Sequence, residues 1–177
     1  MGTRIAPLSF EKPKALLTVQ GEVLIERQIR QIREAGIRHI TVVTGYMRES
    51  LFYLKDEFGV DLVFAPDYAE RNNHASLLRA SDSLGNSFIV SGDQYFRENP
   101  FRSFMYESSC VAVQTEGDTR ERILETDKNG YVTASHFGGG AGLCAVGPVY
   151  LEASDSQKLV SIIRKEYDLP EDRKSVV

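Results

Sequence analysis

Apolar and polar positions along this chain repeat in two periods, and the switches between them mark its elements. Over residues 22–35, Ile25, Ile29 and Ile32 recur at helical spacing and the run stops at Gly36, which predicts a helix closed by a C-terminal glycine. Residues 39–44 form a β-branched run, a buried strand that leaves through Gly45-Tyr46, where the glycine is read as structural. A second helix is predicted over 48–58 and a second strand over 60–64, closed by the Pro66-Asp67 turn. Residues 72–84 fit a third helix, and 87–91 a third buried strand that delivers Gly92-Asp93 at its carboxyl end. Strands and helices alternating across short connections imply an α/β fold, a mostly parallel sheet covered by helices.

The second half is patterned differently. Residues 110–115 are strand-like, and 122–127 and 131–136 make a hairpin around the strong turn signal Asn129-Gly130. Gly138-Gly139-Gly140 reads as a flexible connection and 143–150 as another strand. Ser154 then opens a last helix, with Gln157 completing a capping box and Leu159, Ile162 and Ile163 on its buried side.

Length and charge narrow the class. A chain of 177 residues supports one sizeable core and is short for two. Its net charge of -4, with both signs interspersed, gives no electrostatic footprint for nucleic acid. Cys110 and Cys144 have neither zinc-ligand spacing nor the density of a disulfide framework, so a reducing, cytoplasmic setting is expected. There is no signal peptide and no apolar run long enough to span a bilayer. His39, His74 and His136 are scattered without ligand spacing and receive no catalytic role.

The chemistry is concentrated at the start of the chain. Gly2 allows a polyanion close to the backbone, Arg4 offers a planar fork for two phosphate oxygens, and Lys12 and Lys14, on either side of Pro13, add point charges. Gly2-Thr3-Arg4-Ile5-Ala6-Pro7-Leu8, followed by Pro13-Lys14-Ala15-Leu16, resembles the nucleotidyltransferase signature Gly-x-Gly-[Ser/Thr]-Arg-x-x-Pro-Leu then Pro-Lys-x-Leu. Further along, Tyr68-Ala-Glu-Arg-Asn72-Asn73-His-Ala-Ser76-Leu77, and then Gly92-Asp93-Gln94-Tyr95 at a strand end, are similar to the bacterial phosphocholine cytidylyltransferases. That family carries Tyr-Ala-x-x-Asn-Asn-x-x-Ser-Leu and a strand ending in Asp-Asn-Tyr.

The resemblance implies a Rossmann-like sheet with helices on both faces and an inserted hairpin, forming one domain over 1–177. It also implies a first strand before Met1 and a further segment after Val177. Arg4 and Lys14 are expected to hold the triphosphate, with Gly2 and Thr3 in the nucleotide-binding loop. Asp93 is expected to bind magnesium, and Asn72, Asn73 and Ser76 to face the nucleotide. Asp93 also reads as a turn or cap residue, and Asn72 equally as a helix N-cap. The position of Asp93 at the carboxyl end of a strand favours the ligand role.

The reaction implied is transfer of CMP from CTP to a small phosphorylated acceptor such as phosphocholine, with release of pyrophosphate. Nucleic acid and membrane are not among the expected partners, and a homo-oligomer is compatible with the sequence. The chain has no tryptophan, and Arg120-Glu-Arg-Ile-Leu124 lacks the aromatic expected in the phosphocholine enzymes. A sugar-1-phosphate nucleotidyltransferase and a non-catalytic nucleotide-binding module therefore stay open as alternatives.

Overall fold

The computed structural model describes residues 11–167; Gly2, Thr3 and Arg4 lie outside the described residues. After a short 3-10 turn at Lys14–Leu16, strands β1 (Thr18–Val19) and β2 (Glu22–Val23) form a hairpin closed by Gln20 and Gly21. Both turn residues have positive φ, 51° and 84°, the geometry of two-residue hairpin turns. The hairpin was not anticipated, and it moves the start of the first helix to Leu24. Helix α1 (Leu24–Glu34) ends at Gly36 as expected, with Ile37 N–H donating back to the Ile32 carbonyl at 3.2 Å.

Strands β3 (Thr41–Thr44) and β4 (Asp61–Phe64) pair in parallel, and helix α2 (Tyr53–Phe58) crosses between them. The predicted 48–58 helix is divided into a 3-10 turn at Arg48–Leu51, entered from Met47 in the left-handed conformation at φ 50°, and α2. Ile25, Ile29, Leu51, Leu54 and Val60 bury one another here, and this cluster is the core that α1 shares with the parallel pair. Each such side chain contributes roughly 1.5 to 3 kcal/mol through the apolar area it removes from water.

Helix α3 (Asn73–Arg79) is likewise shorter than expected and is followed by a 3-10 turn at Ser81–Ser83. Short polar side chains that compete for backbone partners make Ser81-Asp82-Ser83 a poor helix interior. Strand β5 (Ser87–Ile89) pairs with the long β9 (Gly142–Leu151), which also pairs β6 (Ser109–Thr115) and β7 (Thr119–Thr126). Strand β8 (Val132–Gly139) closes the far edge of this five-stranded sheet against β7.

The α/β architecture is the one expected, with a smaller parallel share. Parallel pairing is confined to β3 and β4 among the described residues, and the five-stranded sheet pairs antiparallel throughout. Gly138 and Gly139 belong to β8, and Gly139 pairs with Thr119, so they are not the flexible connection predicted. Helix α4 (Ala153–Glu166) starts without the capping box. Ala153 N–H instead donates to Asn86 Oδ1 at 2.8 Å, and Glu152 N–H to Ser108 Oγ at 3.0 Å. No described helix is long and apolar enough to cross a membrane.

Candidate active site

Lys14 and Asp93, distant in sequence, meet in space: Lys14 Nζ lies 3.6 Å from Asp93 Oδ2. The backbone explains why. Gly92 packs so tightly that a β-carbon there would stand 3.3 Å from Ile25 Cδ1 and 3.5 Å from Ala15 Cβ. The space beside Gly92 is therefore filled by the Lys14 turn and α1. Close contact of Gly92 with Ala15 brings the next residue of one turn beside the previous residue of the other. Both side chains remain about one-third exposed, at 32% and 39%. An ion pair this open is worth about 0–1 kcal/mol, so both charges stay available to a ligand.

The Asp93 turn is held from below by α1, through polar side chains that do not face water. Gln28 is 2% exposed, and its amide donates to the Ser91 carbonyl at 2.8 Å and the Gln94 carbonyl at 2.7 Å. Gln31 Nε2 donates to Phe96 O at 3.1 Å, and the Arg27 guanidinium to Phe96 O at 2.9 Å and Arg97 O at 3.0 Å. Asn99 returns a bond to the Gln31 carbonyl, 2.7 Å. Tyr95 follows the turn with the Arg27 guanidinium 4.8 Å from its ring centre and its hydroxyl donating to Gln20 Oε1 at 2.8 Å. The unforeseen hairpin thus buttresses the turn that carries Asp93. Beyond it, Gln94 Nε2 donates to the Val146 carbonyl at 2.5 Å and ties the turn to β9.

Sequence reasoning missed this clamp although a signal was present. Ile25, Gln28, Ile29 and Ile32 share one helical stripe, and a glutamine inside an apolar stripe must satisfy its amide in the protein interior.

Asn72, Asn73 and Ser76 lie together at the start of α3. Asn72 and Asn73 are exposed and Ser76 is half-buried. Asn72 occupies the N-cap position, yet its side chain makes no capping hydrogen bond to the helix. The segment is held by its neighbours. Tyr68 lies over Gly45, where a β-carbon would come within 2.7 Å of Tyr68 Cβ and Cγ, so the strand-exit glycine exists to seat that ring. Asp67 pairs with Arg79 at 3.0 Å and accepts a hydrogen bond from the Tyr167 hydroxyl. Arg71 stacks on Tyr167, 4.5 Å from the ring centre, and His74 meets the same ring edge-on at 6.3 Å. Burial alone pushes the Asp67 carboxyl up, but the Arg79 hydrogen bond, a backbone hydrogen bond and the nearby guanidinium charges outweigh it and hold the group below its ordinary range.

Among the described residues no group of three or more His, Cys, Asp or Glu side chains is placed to cage a metal. A single accessible carboxylate beside a lysine fits a magnesium ion that arrives on a polyphosphate and keeps most of its waters. A groove of about 470 Å³ between the 81–83 turn and α4 is lined by Asp82, Ser156, Arg164 and Lys165 and includes neither Lys14 nor Asp93.

A lysine turn beside a carboxylate in an α/β fold is compatible with binding a polyphosphate and its counter-ion, and the comparisons with known proteins supply the class, a nucleoside-triphosphate transferase. A family model described as the MobA-like NTP transferase domain matches residues 2–145, and the chain belongs to that family. It is similar to the choline-phosphate cytidylyltransferase of Streptococcus pneumoniae, with 36% identity over 167 residues covering 94% of this chain and 73% of the relative. It is also 32% identical over 176 residues to the 2-aminoethylphosphonate cytidylyltransferase of Lancefieldella rimae, covering 94% of this chain and 70% of that protein. A solved structure of the Streptococcus pneumoniae CTP:phosphocholine cytidylyltransferase superposes with a TM-score of 0.90 at 37% identity, over 94% of this chain and 73% of that one. The chain is thus a nucleotidyltransferase of the cytidylyltransferase type.

Proposed function

We propose that the protein transfers CMP from CTP to phosphocholine and releases pyrophosphate. The observation that carries the reading is the Lys14–Asp93 pair, a cation for phosphate and a carboxylate for its counter-ion 3.6 Å apart, with Asp93 in the turn after β5. An acceptor phosphate oxygen attacks the α-phosphorus in line; the new P–O bond forms as the bond to the pyrophosphate oxygen breaks. The acceptor phosphate is already ionised at neutral pH, so no general base is needed, and the chain's task is to position and neutralise. Lys14, with Arg4, binds and orients the phosphates. Asp93 holds magnesium, which when bound supplies charge neutralisation at the phosphoryl oxygens. Asn72, Asn73 and Ser76 line the nucleotide side, with Gly2 and Thr3 in the phosphate loop. Cys110 and Cys144 are free thiols, in keeping with a reducing cytoplasmic setting.

A second acceptor, 2-aminoethylphosphonate, is favoured by the 32% identity to the 2-aminoethylphosphonate cytidylyltransferase of Lancefieldella rimae. A quaternary ammonium is recognised through aromatic faces, and this chain has no tryptophan to supply one. Pyrophosphate release measured across the four common ribonucleoside triphosphates and across phosphocholine, 2-aminoethylphosphonate and glucose 1-phosphate tests both. Turnover with CTP and phosphocholine supports the first reading, and CTP with only the phosphonate supports the second. Turnover with a sugar phosphate alone, or none with any pair, sinks the proposal.

A further inference from the structure

The two carbonyls that Gln28 holds, those of Ser91 and Gln94, bracket Asp93 in the chain. The Ser91 carbonyl also accepts the Gln94 N–H at 3.3 Å, so residues 91–94 form a turn with Asp93 at its third position. That backbone bond is long. The Gln28 amide spans the same two ends with two shorter bonds and so fixes the turn that the backbone alone closes loosely. Gly92, seated against Ala15 and Ile25, blocks the turn from sliding toward α1. The remaining α1 bonds, from Arg27 and Gln31, fall on Phe96 and Arg97, past the turn. They hold the chain after Asp93 without setting how its carboxylate points.

We propose that Gln28 is a positioning residue for the metal: by clamping the carbonyls on either side of Asp93, it sets the direction in which that carboxylate meets a magnesium ion. The inference rests on the metal role given to Asp93 above. A buried side chain that orients a metal ligand governs the metal affinity far more than it governs the binding of the triphosphate itself.

The test uses the full chain and three variants. Gln28→Met keeps length and bulk and removes both donors. Gln28→Glu sets a carboxylate against two carbonyl oxygens, and Gln28→Lys restores N–H donors at similar reach. Affinity for CTP without metal is measured by calorimetry in chelator, and affinity of the CTP-bound protein for Mn²⁺ by electron paramagnetic resonance. In Gln28→Met and Gln28→Glu the Mn²⁺ affinity should fall roughly tenfold or more, with metal-free CTP binding unchanged and partial recovery in Gln28→Lys. Equal losses in both affinities, or a lower melting temperature with Mn²⁺ affinity intact, would make Gln28 an ordinary core residue and overturn the proposal. Asp93→Asn is measured alongside. If it keeps the wild-type Mn²⁺ affinity, the metal assignment itself has failed. If it loses that affinity while the Gln28 variants do not, only the positioning role has failed.

Discussion

The two segments proposed to wall the site are held to the protein by different forces. The Asp93 wall hangs from α1 by buried neutral amides, Gln28 and Gln31, with Arg27 behind them. The α3 wall, with Asn72, Asn73 and Ser76, is fastened by charge: Asp67 to Arg79, and Arg71 to Tyr167, the residue that caps α4. Neutral amides hold their bonds at any pH between the carboxylate and lysine ranges, whereas a carboxylate loses its hold when protonated. The side proposed to hold the metal is therefore built for constant geometry. The side proposed to face the nucleotide depends on the ionisation of Asp67.

The strongest way to break this comparison is at Asp93. Asp93→Asn keeps size and hydrogen-bonding reach but removes the negative charge that a hard oxygen-seeking ion needs. Magnesium-dependent turnover should disappear with the melting temperature nearly unchanged, since Asp93 lies on the open side of its clamp. If Asp93 were only a turn residue, stability would fall by about 1 kcal/mol and turnover would survive. A thermal melt paired with a pyrophosphate assay separates the two.

The next effect is smaller and tests the opposite charge of the pair. Charge-assisted hydrogen bonds contribute roughly 1.5 to 3 kcal/mol, so Lys14→Ala should weaken triphosphate binding about tenfold to a hundredfold. Lys12→Ala should cost less, because Lys14 and not Lys12 reaches Asp93. Titration calorimetry giving equal losses for the two lysines would remove Lys14 from its special place.

What was legible beforehand follows the same division. Gly92-Asp93 after a strand, and Lys14 in Pro-Lys-x-Leu, are local signals, and the structure brings the two together, although the strand is half-buried and stops at Ile89, leaving Asp93 in the 91–94 turn. The α1 clamp was not read because a polar residue on a helix is by default taken to face solvent, and here 91–99 covers that face. The β1–β2 hairpin escaped because two paired residues per strand leave no periodicity to detect. The dominance of antiparallel pairing was hidden for another reason: strand order in a sheet is a long-range property, and β9 collects β5, β6 and β7 from across the chain. The missing capping box reflects competition, since Asn86 and Ser108 reach the first turn of α4 from other segments.

Gly45 sharpens the contrast at the level of packing. An added methyl would press on the root of the Tyr68 side chain, atoms that no rotamer change moves away. Gly45→Ala should cost about 1 to 3 kcal/mol, as overpacked sites do, and should loosen the α3 wall that Tyr68 leads into. Differential scanning calorimetry gives the first, and CTP affinity the second. Mn²⁺ affinity of the CTP-saturated variant should hold, because the Asp93 turn hangs from α1; a parallel loss would mean that the two walls move as one body.

The smallest effect is carried by Asp67, and its sign follows from linkage. Its carboxyl is held below the ordinary range in the folded protein, the burial that opposes ionisation being outweighed by Arg79 and its neighbours. Folding therefore gains from the ionised form at any pH above the unfolded value of about 3.9, and the gain is lost as pH falls from there through the folded pKa. Asp67→Asn should melt below the wild type at pH 7, and the gap should close as the pH is lowered beneath the aspartate range. Asp155, held low by its hydrogen bonds to Ser108 and Lys158, titrates in the same direction in both proteins, so it cancels in the difference. A gap of constant size from pH 7 to pH 3 would show that Asp67 acts through shape alone, and that the charged fastening of the α3 wall contributes nothing of its own.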